Sequence, residues 1–351
     1  MYDERGSMTS LAVLFALKNL QGELIEVHQR ATPLEIVKKS PLKFPPNKKP
    51  YEFEWLTEGF VRAWKSTNDP QLRFRVFSQD RKVHGDLSVQ TAQFLLRLWT
   101  YNFNELKLDH KPDYSRSCVD VYLCFSGEPG GEQLFDEDSQ AKGISSKVNT
   151  IYIYDLPSLK EPLEKVRELS HEYGHASLPA VGGYDKPEYW ANGYLGEKLF
   201  MSWLANQPNI TADQLYGCEP ETLKRYVEKT CTPLVINGAT NYPATKFLTA
   251  KSTQAMNHYI GLMLWMQTVL PPNILSQSMK IMRTYNPQEV PEAIVNAADG
   301  IEPYEFTVPS YLVGKKIWLP FGHLHIKGAA VASRNGGWIA ITAPKTPISV
   351  Y

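Results

Sequence analysis

Apolar and polar positions change period several times along this chain. Leu72, Phe74 and Val76 alternate with polar neighbours up to Phe77, the two-residue period of a half-buried strand. Over 87–106 the spacing becomes helical, with Phe94, Leu95, Leu98 and Trp99 recurring on one side. Residues 119–125 and 148–154 are rich in β-branched and aromatic side chains and predict two more strands. Between them, 127–140 is rich in glycine and acid and reads as a loop. Helical patterns follow at 157–178, 187–206, 219–229, 253–269 and 273–284, with Pro208 stopping the second. After Gly300 the texture turns to short alternating runs at 304–308, 316–319, 324–326 and 338–342.

These elements predict an α+β chain that closes on a small all-β module at 301–351. The principal domain covers 51–300. Residues 1–50 form an N-terminal extension, in which 11–20 and 22–27 fit short strands or a helix. Five Lys and four Pro at 38–50 mark an exposed linker. Residues 8–50 also fit a propeptide or a structural arm.

Composition narrows the function classes. Hydrophobic residues make up 43% and charged residues 21%, as in ordinary globular proteins. Lys+Arg and Asp+Glu both total 37, so no overall basic field draws nucleic acid. No apolar run approaches the roughly 20 residues of a membrane-spanning helix. Of the four cysteines, Cys118 and Cys124 share a strand-like run and stand about 20 Å apart if it is straight. That is too far for a mutual disulfide. A cross-pair with Cys218 or Cys231 and four buried thiols both remain open. The 19 Tyr, 8 Trp and 25 Pro point towards an exported protein.

The pattern at 157–178 carries the chain's most specific chemistry. His171-Glu172-Tyr173-Gly174-His175 has the form H-E-x-x-H. Residues four apart on a helix lie one turn above the other, so both imidazoles can reach one ion. Glu172 can then face water bound to that ion. Zinc suits this set, since it takes His and carboxylate ligands and keeps one position for water at catalytic sites. Ser158 and Glu161 fit a capping box for the helix start, with Pro162 as the alternative first turn. Leu163, Val166, Ser170 and Tyr173 form its expected core stripe.

A third ligand is expected from the next helix. Glu197 lies on a face shared with Trp190, Gly193, Tyr194, Phe200, Met201 and Leu204. A carboxylate there is costly unless it is paired or binds metal. Gly193 and Gly196 each cost a helix about 1 kcal/mol against Ala but allow close helix approach. Glu188 is the rival, and after Pro187 its charge is already accounted for by the helix dipole. His323 and His325, two apart, read as surface side chains of a β ribbon.

His171-Glu172-x-x-His175, followed by Glu197, resembles the gluzincin zinc metallopeptidases, the group that includes thermolysin. The strand–helix–strand–strand–helix order before it is similar to their N-terminal subdomain, and the likeness covers roughly residues 70–206. The Asn-Glu-x-x-x-Asp pattern of thermolysin-like members is replaced here by Asn192-Gly193-Tyr194-Leu195-Gly196-Glu197. The resemblance implies a zincin-like catalytic domain: a mixed sheet, an active-site helix and a helical subdomain. It implies Zn2+ on His171, His175 and Glu197, and peptide or protein substrates. It further implies Glu172 as general base and an oxyanion donor on a later element. Tyr259 is the candidate donor, with His258 and Tyr184 as others. A substrate strand is expected to pair with a sheet edge, for which 144–149 is the candidate. Two other readings compete. One is a non-catalytic binding protein on the same fold. The other is a zinc hydrolase for glycosylated or cell-wall peptides, suggested by Tyr184, Tyr189, Trp190 and Tyr194.

Overall fold

A computed structural model describes residues 15–18, 24–30, 55–62, 71–79, 81–110, 118–125, 127–137, 147–243 and 248–351. The expected linker at 38–50 lies outside these residues, as do 144–146. The described chain is mixed α+β. No helix among the described residues is long and apolar enough to cross a membrane.

The first half builds strands β1 (Phe15–Lys18), β2 (Leu24–Arg30), β3 (Trp55–Arg62) and β4 (Gln71–Ser78), then helix α1 (Arg81–Asn104). Strands β5 (Val119–Leu123), β6 (Gly130–Glu137) and β7 (Lys147–Tyr154) follow. They form one seven-stranded sheet in the order β1-β2-β3-β4-β5-β7-β6. Strands β4, β5 and β7 run parallel, and β6 pairs antiparallel with β7 at the edge. The glycine- and acid-rich stretch expected as a loop is therefore largely the strand β6. Its side chains have little strand propensity, and pairing with the apolar β7 supplies the order instead. The expected docking edge at 144–149 is corrected as well, because β7 is flanked on both sides.

One sheet face carries Phe77, Tyr122, Tyr152 and Tyr154 as a run of stacked rings, with centroids 4.7, 5.1 and 5.9 Å apart. On the same face, Arg75 on β4 and Asp120 on β5 sit opposite each other and form a two-pronged ion pair. On β3, Gly59 meets Leu96 of α1, where an added Cβ would stand 3.0 Å from the leucine Cδ1.

After a short 3-10 turn at Leu156–Ser158 comes α2 (Pro162–Ser177). Pro162 thus takes the first turn, and Ser158 bonds Asp155 rather than capping a helix. Val166, Ser170 and Tyr173 are buried as expected, and Leu163 is half-buried. The chain continues through α3 (Asn192–Ala205), α4 (Pro220–Tyr226), one π-helical turn (Val227–Cys231) and α5 (Thr232–Thr240). Helices α6 (Thr253–Val269), α7 (Pro272–Lys280) and α8 (Val290–Ala298) follow. Helix α3 begins five residues later than expected, because 187–191 is not helical.

The terminal region holds two three-stranded sheets. One orders β10 (Ile326–Lys327), β13 (Ile348–Val350) and β8 (Tyr304–Phe306). The other orders β11 (Val331–Asn335), β12 (Trp338–Thr342) and β9 (Lys316–Leu319). The Trp265 indole of α6 donates to the Trp318 carbonyl of β9 at 2.7 Å.

By proximity, the described residues fall into two units. One comprises the described residues within 1–100, 110–172 and 211–218; the other comprises those within 101–109, 173–210 and 219–351. The β region after 300 thus groups with the helices of 219–300. All four cysteines are buried thiols, the second of the two readings left open above.

Candidate metal centre

Helix α2 sets the first part of the site. Its sequence places His171 and His175 one turn apart, and the connector after it supplies a third group. Ligand atoms of His171, His175 and Glu188 lie within 4.8 Å of one another, and all three residues are half-buried. His175 Nε2 is 3.3 Å from Glu188 Oε1.

The other face of the His175 ring fixes its proton. Asn192, the first residue of α3, places its Oδ1 3.0 Å from His175 Nδ1. The Asn192 Nδ2 group donates to the carbonyls of His175, Gly174 and Leu178 at 3.2, 3.4 and 3.4 Å. The amide is therefore oriented with its oxygen towards the ring, so Nδ1 carries the hydrogen and Nε2 the lone pair. Two acceptor atoms, Nε2 and a carboxylate oxygen, then face each other at 3.3 Å. Such a pair repels unless a proton or cation lies between. A tetrahedral zinc site with nitrogen and oxygen ligands spaces neighbouring ligand atoms about 3.4 Å apart, and the His175–Glu188 pair has that spacing.

Glycine lets α2 and α3 come this close. A Cβ on Gly174 would lie 2.5 Å from the Asn192 carbonyl oxygen and 2.9 Å from Gly196 Cα. Gly196 thus meets α2 at its Cα, whereas Gly193 faces it with its carbonyl oxygen.

Among the described residues, the group gathered around His171 and His175 holds Glu188 and not Glu197, the residue expected as third ligand. Glu197 is 2% exposed, and its Oε1 accepts from Tyr226 Oη at 2.5 Å and from Lys198 Nζ at 2.9 Å. The Lys198 ammonium also lies over the rings of Tyr194 and Tyr226. The burial argument for Glu197 holds, but a lysine and a phenol compensate it.

Glu188 stands four residues before α3, so no helix dipole accounts for its charge. The connector is held by a bridge between Gly182 and Trp190 and by the Ala191 N–H donating to the Val181 carbonyl at 2.8 Å. A Cβ at Gly182 would strike the rings of Trp190 and Tyr189, at 2.4 and 2.8 Å. Those rings meet edge to face at 4.8 Å and are 58% and 43% exposed for Tyr189 and Trp190 respectively.

Glu172 is buried, and its side chain lies against strand β6. An added Cβ on Gly131 would stand 2.4 Å from Glu172 Cγ and 2.7 Å from Oε1. Tyr259, expected as a donor to substrate, is fully buried in α6, and its hydroxyl has no hydrogen-bond partner among the described residues. Burial and the neighbouring Tyr184 hold its phenol well above the usual range. Burial likewise lowers the pKa of His258, whose Nδ1 is 3.0 Å from Asn237 Oδ1. His323 Nδ1 pairs with Asp299 Oδ2 at 2.8 Å, in keeping with a surface role.

The sequence reading gave Asn192 no role. Its signal was slight: one amide residue at a helix start, whose partners come from the preceding helix. A scan against protein-family models found no match to this chain, and a search of curated proteins found none either.

Proposed function

We propose that this protein is a zinc-dependent peptide hydrolase of the gluzincin type, with His171, His175 and Glu188 as ligands and Glu172 as general base. The observation that carries the reading is the 3.3 Å approach of His175 Nε2 to Glu188 Oε1, with Nδ1 already committed to Asn192. A histidine ligand whose other nitrogen is held by an amide or carbonyl is the usual arrangement around a bound metal. A divalent ion there polarises a carbonyl and makes a bound water more acidic.

Glu172 accepts a proton from the attacking water and delivers it to the leaving amine. Its contact with Gly131 puts this carboxylate beside the strand that forms the sheet edge among the described residues. Strand β6 pairs with β7 on one side, and its other side can take an extended peptide as an added strand. Such a peptide lies alongside the general base.

The test is metal analysis of the purified protein beside hydrolysis of a mixed peptide library. The wild type should carry about one zinc and cleave, and Glu172→Gln should keep the zinc and lose cleavage. A metal-free active wild type, or an active Glu172→Gln, removes the reading.

The exposed Tyr189–Trp190 pair, next in sequence to Glu188, favours a second reading in which the peptide bears sugar. Aromatic faces stack on pyranose rings as readily as on apolar side chains. Replacing both rings by Ala should then slow turnover of a glycopeptide and spare the unglycosylated peptide.

A further inference from the structure

Between α4 and α5 the chain makes one π-helical turn, in which Thr232 N–H donates to the Val227 carbonyl five residues back. Such turns are uncommon and frequently mark functional sites. Val227 and Cys231 line a cavity of about 290 Å3, at the small end for ligand pockets. None of the metal-ligand candidates lines it.

The lining has one formal charge. Glu105 contributes a carboxylate, and no Lys or Arg joins it there among the described residues. Trp203 Nε1–H donates to Glu105 Oε1 at 2.8 Å, the one hydrogen bond this carboxylate makes among the described residues. The nearby Lys107 ammonium is engaged with the Asn104 carbonyl at 2.6 Å. Burial holds the Glu105 carboxyl above the usual range, against the lowering effects of Trp203 and Lys107.

Aromatic side chains complete the lining. Tyr101 and Trp203 lie with ring centroids 4.9 Å apart, and Tyr311 closes another wall. Ring faces attract cations, and more strongly where water is excluded.

We propose that this cavity binds a small primary ammonium compound, with Glu105 as counter-ion and Trp203 and Tyr311 as the rings beside it. The site is independent of the metal centre. The charge of the ligand supplies the counter-charge that the lining does not hold.

The test titrates the purified full chain with benzylammonium and with its neutral analogue, benzyl alcohol, by calorimetry. Benzylammonium should bind at least tenfold more tightly. Glu105→Gln, with a near-ultraviolet spectrum matching the wild type, should erase that difference. Equal affinity for the two compounds, no saturable binding of benzylammonium, or an unchanged preference in Glu105→Gln would overturn the proposal. If Glu105→Gln does not fold, the two ligands on the wild type decide alone.

Discussion

Asn192 accepts the Nδ1 proton of His175 at 3.0 Å while its own amide hydrogens are held by carbonyls of the same turn. One side chain thus sets both the tautomer and the tilt of the ring. Asn192→Ala should weaken zinc binding by about 10–100-fold, the usual scale for removing a group behind a metal ligand. Competition against a chromogenic chelator measures it. An affinity equal to the wild type would separate Asn192 from the site.

Glu188 and Glu197 should separate cleanly. Glu188→Ala should lose the ion with little change in stability, since the carboxylate is half-buried on a connector. Glu197→Ala should keep the ion. It leaves the Lys198 ammonium buried without its carboxylate, which costs about 3–5 kcal/mol in comparable cases. Metal content and urea unfolding, measured on both variants, check the pair. Loss of zinc from Glu197→Ala alone would reverse the assignment.

Gly131→Ala tests the placement of the general base. The new methyl falls 2.4 Å from Glu172 Cγ, so the carboxylate must move. A displacement of about 1 Å can cost roughly 100-fold in rate. Hydrolysis should fall by that order while zinc content stays at the wild-type level.

Gly174→Ala sets two effects against each other. Alanine gains about 1 kcal/mol over glycine in a helix interior. The added Cβ meets backbone of α3 at 2.5 and 2.9 Å, and backbone cannot rotate away as a side chain can. Overpacking of this kind costs about 1–3 kcal/mol. The clash should win, and the variant should unfold at lower urea than the wild type.

Glu105 gives a pH signature. Its folded-state pKa lies above the ordinary glutamate value, so the folded chain holds this proton to higher pH than the unfolded chain. Stability therefore falls as pH climbs from the ordinary carboxylate range through the raised value, and the effect is constant above it. The group is partly solvated, so the slope is shallow. Unfolding of Glu105→Gln across a pH series should lack this component.

The sequence carried the fold unevenly. Strands such as β4, β7 and β12 have alternating or apolar side chains, and their periods alone mark them. Six of the eight residues of strand β6 are Gly, Glu, Gln or Asp, and its pairing with β7 makes it a strand. The His pair was legible because one α-helical turn fixes its geometry locally. The third member of the His171–His175–Glu188 group was not, for two physical reasons. Pro187 reads as a helix start, yet α3 begins at Asn192 and leaves Glu188 on a returning connector. Glu197 reads as a costly buried charge, yet its own neighbour Lys198 and Tyr226, 29 positions later, relieve that cost. Helix α8 went unseen because its nine residues fall between Pro and Gly breaks.

Cys118, Cys124, Cys218 and Cys231 are each nearly sealed from solvent. An alkylating reagent can reach a sealed thiol only when the surrounding segment opens, so each sulfur becomes a clock for its own neighbourhood. Labelling rates followed by peptide mapping would rank β5 against the π-turn by how often each breathes.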